Sequence, residues 1–435
     1  MNAVSNTLRN VRNIATVGHT ASTGRARLAL AAAWLATRAL MLWLLTHDAV
    51  PLLGNGSVAR EVWRLYHHWY GVLAHGTFPT HDPLWQYPPG AGAVLLSPSL
   101  LPGLTYFQAF VVLTLAADAA ITLALTVAGG RPWRSLLGAW VWVGGLPLLL
   151  HTPLARYDVQ VTALAVIALL TLPRSTRACG VFAALGALVK VWPVLVLLGV
   201  PRGRATRSAW SWAGGAMAVV LGVLTALFAH PFSFLRQQGG RGVQIESLGG
   251  TVLAFATHAG WPGRVRYQYG SFEFVGPHVR TVAHVCLALS AIALGLLLLW
   301  RLRARRWTPA TPYDAALSAV LLFTVTSRVI SPQYMIWLVG LAAVCLTARQ
   351  TVQRPVAVLI LAATAVSAVV FPGLYGQVMA CTWTGCVLML VRNGLLLTAA
   401  IWSFTRVWRS TRPAAPARVP RVSPDSRGVT PPVPV

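Results

Sequence analysis

LALAAAWLATRALMLWLLT (residues 28–46) is an apolar run of membrane-spanning length. It gives way at once to a long polar loop, HDAVPLLGNGSVAREVWRLYHHWYGVLAHGTFPTHDPLWQYPP (residues 47–89). About 20 such residues cross the hydrocarbon core as a helix. The loop beside this run holds three of the nine acidic residues, Asp48, Glu61 and Asp82, and so marks where chemistry is to be sought. Apolar runs recur as far as Phe404 in a chain of 435 residues that is 56% hydrophobic and 10% charged. That composition excludes a set of soluble domains. It predicts an all-α polytopic membrane protein of about 10–12 transmembrane helices, with the loops of the outer face forming the active site.

The net charge of +26 raises nucleic acid as a partner. The arginines, however, sit in short clusters between apolar runs, and no nucleic-acid-binding motif carries them, so none is expected. They read as topology, because cytoplasmic loops carry the excess of Arg. With a basic N-terminal tail (residues 1–27) inside, residues 28–45 form an uncleaved first span and the 47–89 loop lies outside. Residues 90–101 are short and Pro-bounded, a half-membrane piece. Further spans follow at 106–127, 136–150, 159–172, 212–228, 282–300, 315–326, 334–347, 356–371 and 386–404. The run at 181–200 is followed by a second basic cluster, so it is expected to turn back as a hairpin near Lys190 and Pro193. A second outer loop covers residues 230–281, the membrane core spans 28–405, and an Arg/Pro-rich tail (406–435) is expected to be disordered and cytoplasmic. The expected location is a cell membrane with both termini inside.

This threading gathers six of the nine acids, Asp48, Glu61, Asp82, Asp158, Glu246 and Glu273, on the outer face. Arg156 and Arg328 fall on the same side against the topology rule, which favours a role in a site. Glu61 is the only acid of the amphipathic stretch EVWRLYHHWYGVL. It has a plain reading as a solvated side chain and a chemical one as a general base whose pKa is raised by its surroundings. Trp63, Trp69 and Tyr70 read as an interfacial aromatic belt. Asp158 suits the N-terminal end of the following span, and Arg156 beside it a phosphate clamp. Lys190, the only lysine, needs a phosphate or a carboxylate partner if buried. The five cysteines and His67, His68, His75 and His81 show no metal-ligand spacing, and no metal or cofactor is expected. Cys381 and Cys386 are either free thiols or a disulfide.

The ordered set EVWRLYHHWYGVLAHGTFP, WQYPP, RYD, KVWP, QIES and SPQYMIW resembles the polyprenol-phosphate-sugar-dependent membrane glycosyltransferases, in particular glycosyltransferase family 87. The resemblance covers residues 28–405. It implies an inverting transfer of a hexose, by family analogy mannose, from a polyprenyl-phosphate sugar to a glycolipid or glycan acceptor among the membrane lipids. It implies Glu61 and Asp158 as catalytic residues. Tyr66, Tyr87, Arg156, Lys190, Arg241, Glu246, Arg328 and Gln333 would bind substrate or phosphate, and Asp48, Asp82 and Asp158 stand as alternative bases. The family position usually holds Asp. Glu61 carries one more methylene, which moves the carboxylate by about 1.5 Å. The alternative readings are a lipid-linked-sugar flippase, or a family member without catalytic activity.

Overall fold

The computed structural model describes residues 2–47, 57–235 and 240–412. Asp48, Asp425 and most of the C-terminal tail lie outside the described residues. From the N-terminus, α1 (Asn2–Thr46) is followed by α2, a continuous helical segment built from Ser57–Arg60, a wider π turn at Glu61–Tyr66, and His67–Ala74. Then come α3 (Gly90–Leu96), α4 (Tyr106–Gly129), α5 (Leu137–Gly145), α6 (Asp158–Thr171), α7 (Thr176–Val189) and α8 (Arg204–Leu227). The second half holds β1 (Val243–Gln244), α9 (Leu248–His258), β2 (Arg264–Gln268), β3 (Ser271–Val275), α10 (Val279–Arg303) and α11 (Thr311–Thr326). It ends with α12 (Tyr334–Leu346), α13 (Arg354–Ala368), α14 (Tyr375–Met379) and α15 (Trp383–Ser410).

Helix starts follow local chemistry. Thr105 and Gln108 form a capping box at α4, and the Ser175, Ser247 and Thr382 hydroxyls cap α7, α9 and α15. Among the described residues, six helices are long and apolar enough to cross a membrane: Gly24–Thr46 within α1, α4, α8, α10, α13 with the turn after it, and α15. The shorter apolar helices α3, α5, α6, α7 and α12 pack among them, and α11 and α12 are buried along nearly their whole length. The protein is a polytopic helical membrane protein.

The apolar run 181–200 is broken at Lys190, whose backbone is extended, and continues as a 3-10 helix, Trp192–Gly199, with Pro193 in its first turn. This second arm packs back along α7. Gly186 makes the approach possible, since a Cβ there would sit 2.9 Å from that of Pro193. The loop after α8 contains a three-stranded antiparallel sheet of order β1-β3-β2, which the sequence reading did not anticipate. Its β2–β3 turn places Tyr269 at φ 53° and Gly270 at φ 74°, the left-handed pair that a two-residue hairpin requires.

Deep between α1, α4 and α5, the Asp118 carboxylate accepts from Trp34 Nε1 (2.7 Å), Arg38 Nε (2.7 Å), Arg38 Nη2 (2.8 Å) and Trp142 Nε1 (2.7 Å). Arg38 also donates to the Val143 carbonyl at 2.8 Å. A carboxylate with its acceptor sites filled can sit at membrane depth, and here it ties the first helix to the rest of the bundle. Removing one partner of a buried pair leaves the other charge uncompensated. Asp118→Ala is therefore expected to cost about 3–5 kcal/mol of stability. The Arg38→Met/Asp118→Leu double variant should recover most of that loss, as read by thermal unfolding in detergent.

Candidate active site

The segments that follow α1, α7, α8, α11 and α13, and those that precede α6, α10, α12 and α15, belong to one end of the bundle. They surround a cavity of about 390 Å³. Glu61, Tyr87, Arg156, Lys190, Arg241, Glu246, Arg328 and Gln333 all line it. Two of the expected residues, Tyr66 and Asp158, are buried behind this wall.

Glu61 opens the π turn of α2, a kind of irregularity that recurs at functional sites. Its side chain is 29% exposed, and its carboxylate lies 3.8 Å from Arg156 Nη2, beyond hydrogen-bonding reach. Arg156 is buried, and donates from Nη1 to the Ala155 carbonyl at 2.8 Å and toward that of Val58 at 3.5 Å, which fastens α2 to the segment before α6. Asp82 of the same loop differs. It accepts from Trp69 Nε1 (2.7 Å) and the Leu84 amide (2.8 Å). Trp69, read from sequence as part of an interfacial belt, is fully buried to make that bond, whereas Trp63 is 46% exposed.

An aromatic layer supports the cavity wall. Tyr87, held before the Pro88–Pro89 turn, meets Trp69, Trp85 and Tyr157 edge-on at 5.4–5.8 Å. Tyr66 packs behind it against Trp69, Phe110 and Tyr157. Burial, reinforced by the Glu61 charge, pushes the Tyr87 hydroxyl well above its usual range, so it stays a neutral donor.

Lys190, at the break of the hairpin, reaches Asp158 Oδ1 at 2.6 Å. The same oxygen accepts from Trp337 Nε1 at 2.6 Å. The ammonium also lies over the rings of Tyr157 (4.9 Å), Trp337 (5.1 Å) and Tyr334 (5.7 Å). An aromatic cage with a carboxylate beneath it compensates the ammonium at the cavity edge.

A further part of the lining comes from the second loop and α12. Arg241 donates from Nε to Glu273 Oε1 (3.1 Å) and from Nη2 to Ser271 Oγ (3.2 Å), so β3 aims it. Arg328 donates to the Arg241 carbonyl at 2.9 Å. Glu246 is 2% exposed. It is bonded to Arg392 Nη2 at 3.2 Å and accepts from the Tyr375 hydroxyl. Burial pushes its carboxyl up to about 7, against the opposing pull of Arg392 and Tyr375. Arg392 and Tyr375 escaped the sequence reading, which names Glu273 only as an outer-face acid and Trp337 only as part of the SPQYMIW motif. A lone arginine inside the apolar run of α15 was the one available signal. Cys381 and Cys386 are free thiols.

The division between lining and buried acids can be read by chemical labelling. In a background with the native cysteines replaced, Glu61→Cys is expected to react with a water-soluble maleimide at least about tenfold faster than Asp158→Cys, because thiol reactivity follows access. Equal rates would contradict the geometry.

No curated protein matches the chain. The sequence model of glycosyltransferase family 87 matches residues 85–332, more than half of the chain, and takes in the WQYPP, RYD, KVWP and QIES segments that line the cavity. Glu61 lies ahead of the matched region, joined to it through Arg156. A helical membrane protein whose matched region furnishes most of this polar cavity is a sugar transferase, and the chain belongs to glycosyltransferase family 87.

Proposed function

We propose that the protein transfers a hexose, mannose being the reading carried over from the family resemblance, from a polyprenyl-phosphate sugar to a glycolipid or glycan acceptor. With the Arg clusters of the opposite end in the cytoplasm, the cavity faces outward across a cell membrane and both termini lie inside. One observation carries the reading: a partly exposed carboxylate, Glu61, shares a single cavity with Arg156, Lys190, Arg241 and Arg328.

Glu61 takes the proton of the acceptor hydroxyl, and the oxygen attacks the anomeric carbon. The bond from that carbon to the phosphate oxygen breaks on the opposite face, through an oxocarbenium-like transition state that inverts configuration. The polyprenyl phosphate departs with the bonding electron pair and stays anchored in the bilayer. Charge grows on the phosphate as it leaves, and pre-placed cations stabilise such charge without reorganising. Arg156, Lys190, Arg241 and Arg328, which line the same cavity, suit this task. Asp158, with Lys190 and Trp337 bonded to one oxygen, acts as the anchor that holds Lys190. A flippase reading would put the charges near the bilayer midplane. Here the cavity's charges sit on segments between helices at one end of the bundle, and among the described residues no pair of repeats surrounds them.

Membranes offered a radiolabelled polyprenyl-phosphate mannose and extracted glycolipids test the proposal. Glu61→Gln is expected to lower kcat by about 10²–10⁴-fold, the usual worth of a positioned base, with little change in donor KM. Transfer surviving within a few fold would remove Glu61 as the base. Absence of donor consumption by the unmodified protein would overturn the transferase reading of the cavity.

A further inference from the structure

Arg392 is fully buried in the third turn of α15, one of the six membrane-length helices, where a charged side chain is costly. Its Nη2 donates to the Glu246 carbonyl (3.0 Å) and carboxylate (3.2 Å), while Nε and Nη1 have no hydrogen-bond partner. Asn393 beside it donates to the carbonyls of Glu246 (3.2 Å) and Ser247 (3.3 Å) and to Thr251 Oγ1 (2.7 Å). Two adjacent polar residues of a membrane helix are thus spent on fixing one short segment. An arginine that leaves two donors idle is poor value for stability alone. What it secures is the position of a carboxylate that faces the cavity.

The surroundings of that carboxylate show what it suits. A carboxylate has about four acceptor positions. Arg392 and Tyr375 each occupy one, and Gln244 Nε2 stands at 3.5 Å, the limit of a bond. Gln244 is itself held, with Oε1 accepting from the Ile330 amide (2.8 Å) and Nε2 donating to Ser331 Oγ (3.3 Å). Next to these polar groups, Tyr375 meets Phe371 at 5.2 Å and Phe272 at 5.9 Å, and Phe272 meets Tyr267 at 5.2 Å, giving the cavity an aromatic wall. Hydrogen-bond acceptors beside aromatic faces match a sugar ring, which presents hydroxyls at its edge and C–H bonds on its faces.

We propose that Glu246 is the residue that accepts hydrogen bonds from the hydroxyls of the transferred hexose, and that Arg392 and Asn393 are positioning residues that hold it against the cavity. This rests on the transferase reading above and assigns the sugar ring to the part of the cavity where Glu246 meets the aromatic wall. A site built to bond a hydroxyl discriminates strongly against the analogue that lacks it, because its buried polar group is then left unpaired.

The test offers the purified full-length protein polyprenyl-phosphate mannose and the set of its monodeoxy analogues. The unmodified protein should lose at least about tenfold in kcat/KM on one of the analogues. Glu246→Gln should erase most of that discrimination by raising the KM of the complete donor, and Arg392→Met should do the same while Arg392→Lys restores part of it. Because a lone buried cation can unfold the single variants, Glu246→Gln/Arg392→Met supplies a neutral pair for the same comparison. Retention of the wild-type analogue ratios in a folded variant, whatever its total activity, would overturn the proposal while leaving the transferase reading standing. Failure of the unmodified protein to use any of these donors would overturn both.

Discussion

The ion pair between Lys190 and Asp158 is the contact on which the site end of the bundle depends. It joins the start of α6 to the break after α7, and through Trp337 it reaches α12. Without a buried anion beneath it, the only lysine of the chain would leave the cavity edge for water, and the hairpin would lose the reason for its turn. The aromatic cage of Tyr157, Tyr334 and Trp337 shields the pair and forms part of the cavity wall.

Scarcity of carboxylates extends the same logic to the whole molecule. Asp118 locks α1 to α4 and α5, Asp82 fixes Trp69, Glu273 aims Arg241, Glu246 meets Arg392, and Asp314 accepts from Thr351 and the Val352 amide. Of the acids in the described residues, Glu61 is the one held only by a loose pair at 3.8 Å while facing the cavity. A base must keep an oxygen available, and a carboxylate whose bonds are filled cannot serve. That contrast, more than its place in the chain, makes Glu61 the strongest candidate.

Much of this was legible in the sequence. Apolar runs bounded by Arg clusters mark the helices because burial in lipid leaves few alternatives to a helix. The break at Lys190 follows from a proline three residues on and from basic clusters at both ends of one run. Eight of the ten expected site residues line the cavity, since outward-side polar groups in so apolar a chain have few other uses. The family resemblance implies Asp158 as an alternative base, yet its partners lie 32 and 179 residues away, and no local pattern reveals them. Arg392 was hidden in the same manner, inside a run that reads as an ordinary span. The small sheet was missed because β1 holds two residues and gains its meaning only through β3.

The central claim is that one cavity receives both the lipid-linked phosphate and the sugar, with Glu61 facing the reacting carbon. Its most direct test is a structure of the protein in nanodiscs with a polyprenyl phosphonate mannose, a donor analogue that cannot react. The account predicts the phosphonate within hydrogen-bonding distance of Arg156 and Lys190, the ring against the Tyr375 wall, and Glu61 on the face of the anomeric carbon opposite the phosphonate. A donor bound with its phosphonate away from these cations, or with Glu61 on the leaving-group side, would contradict it.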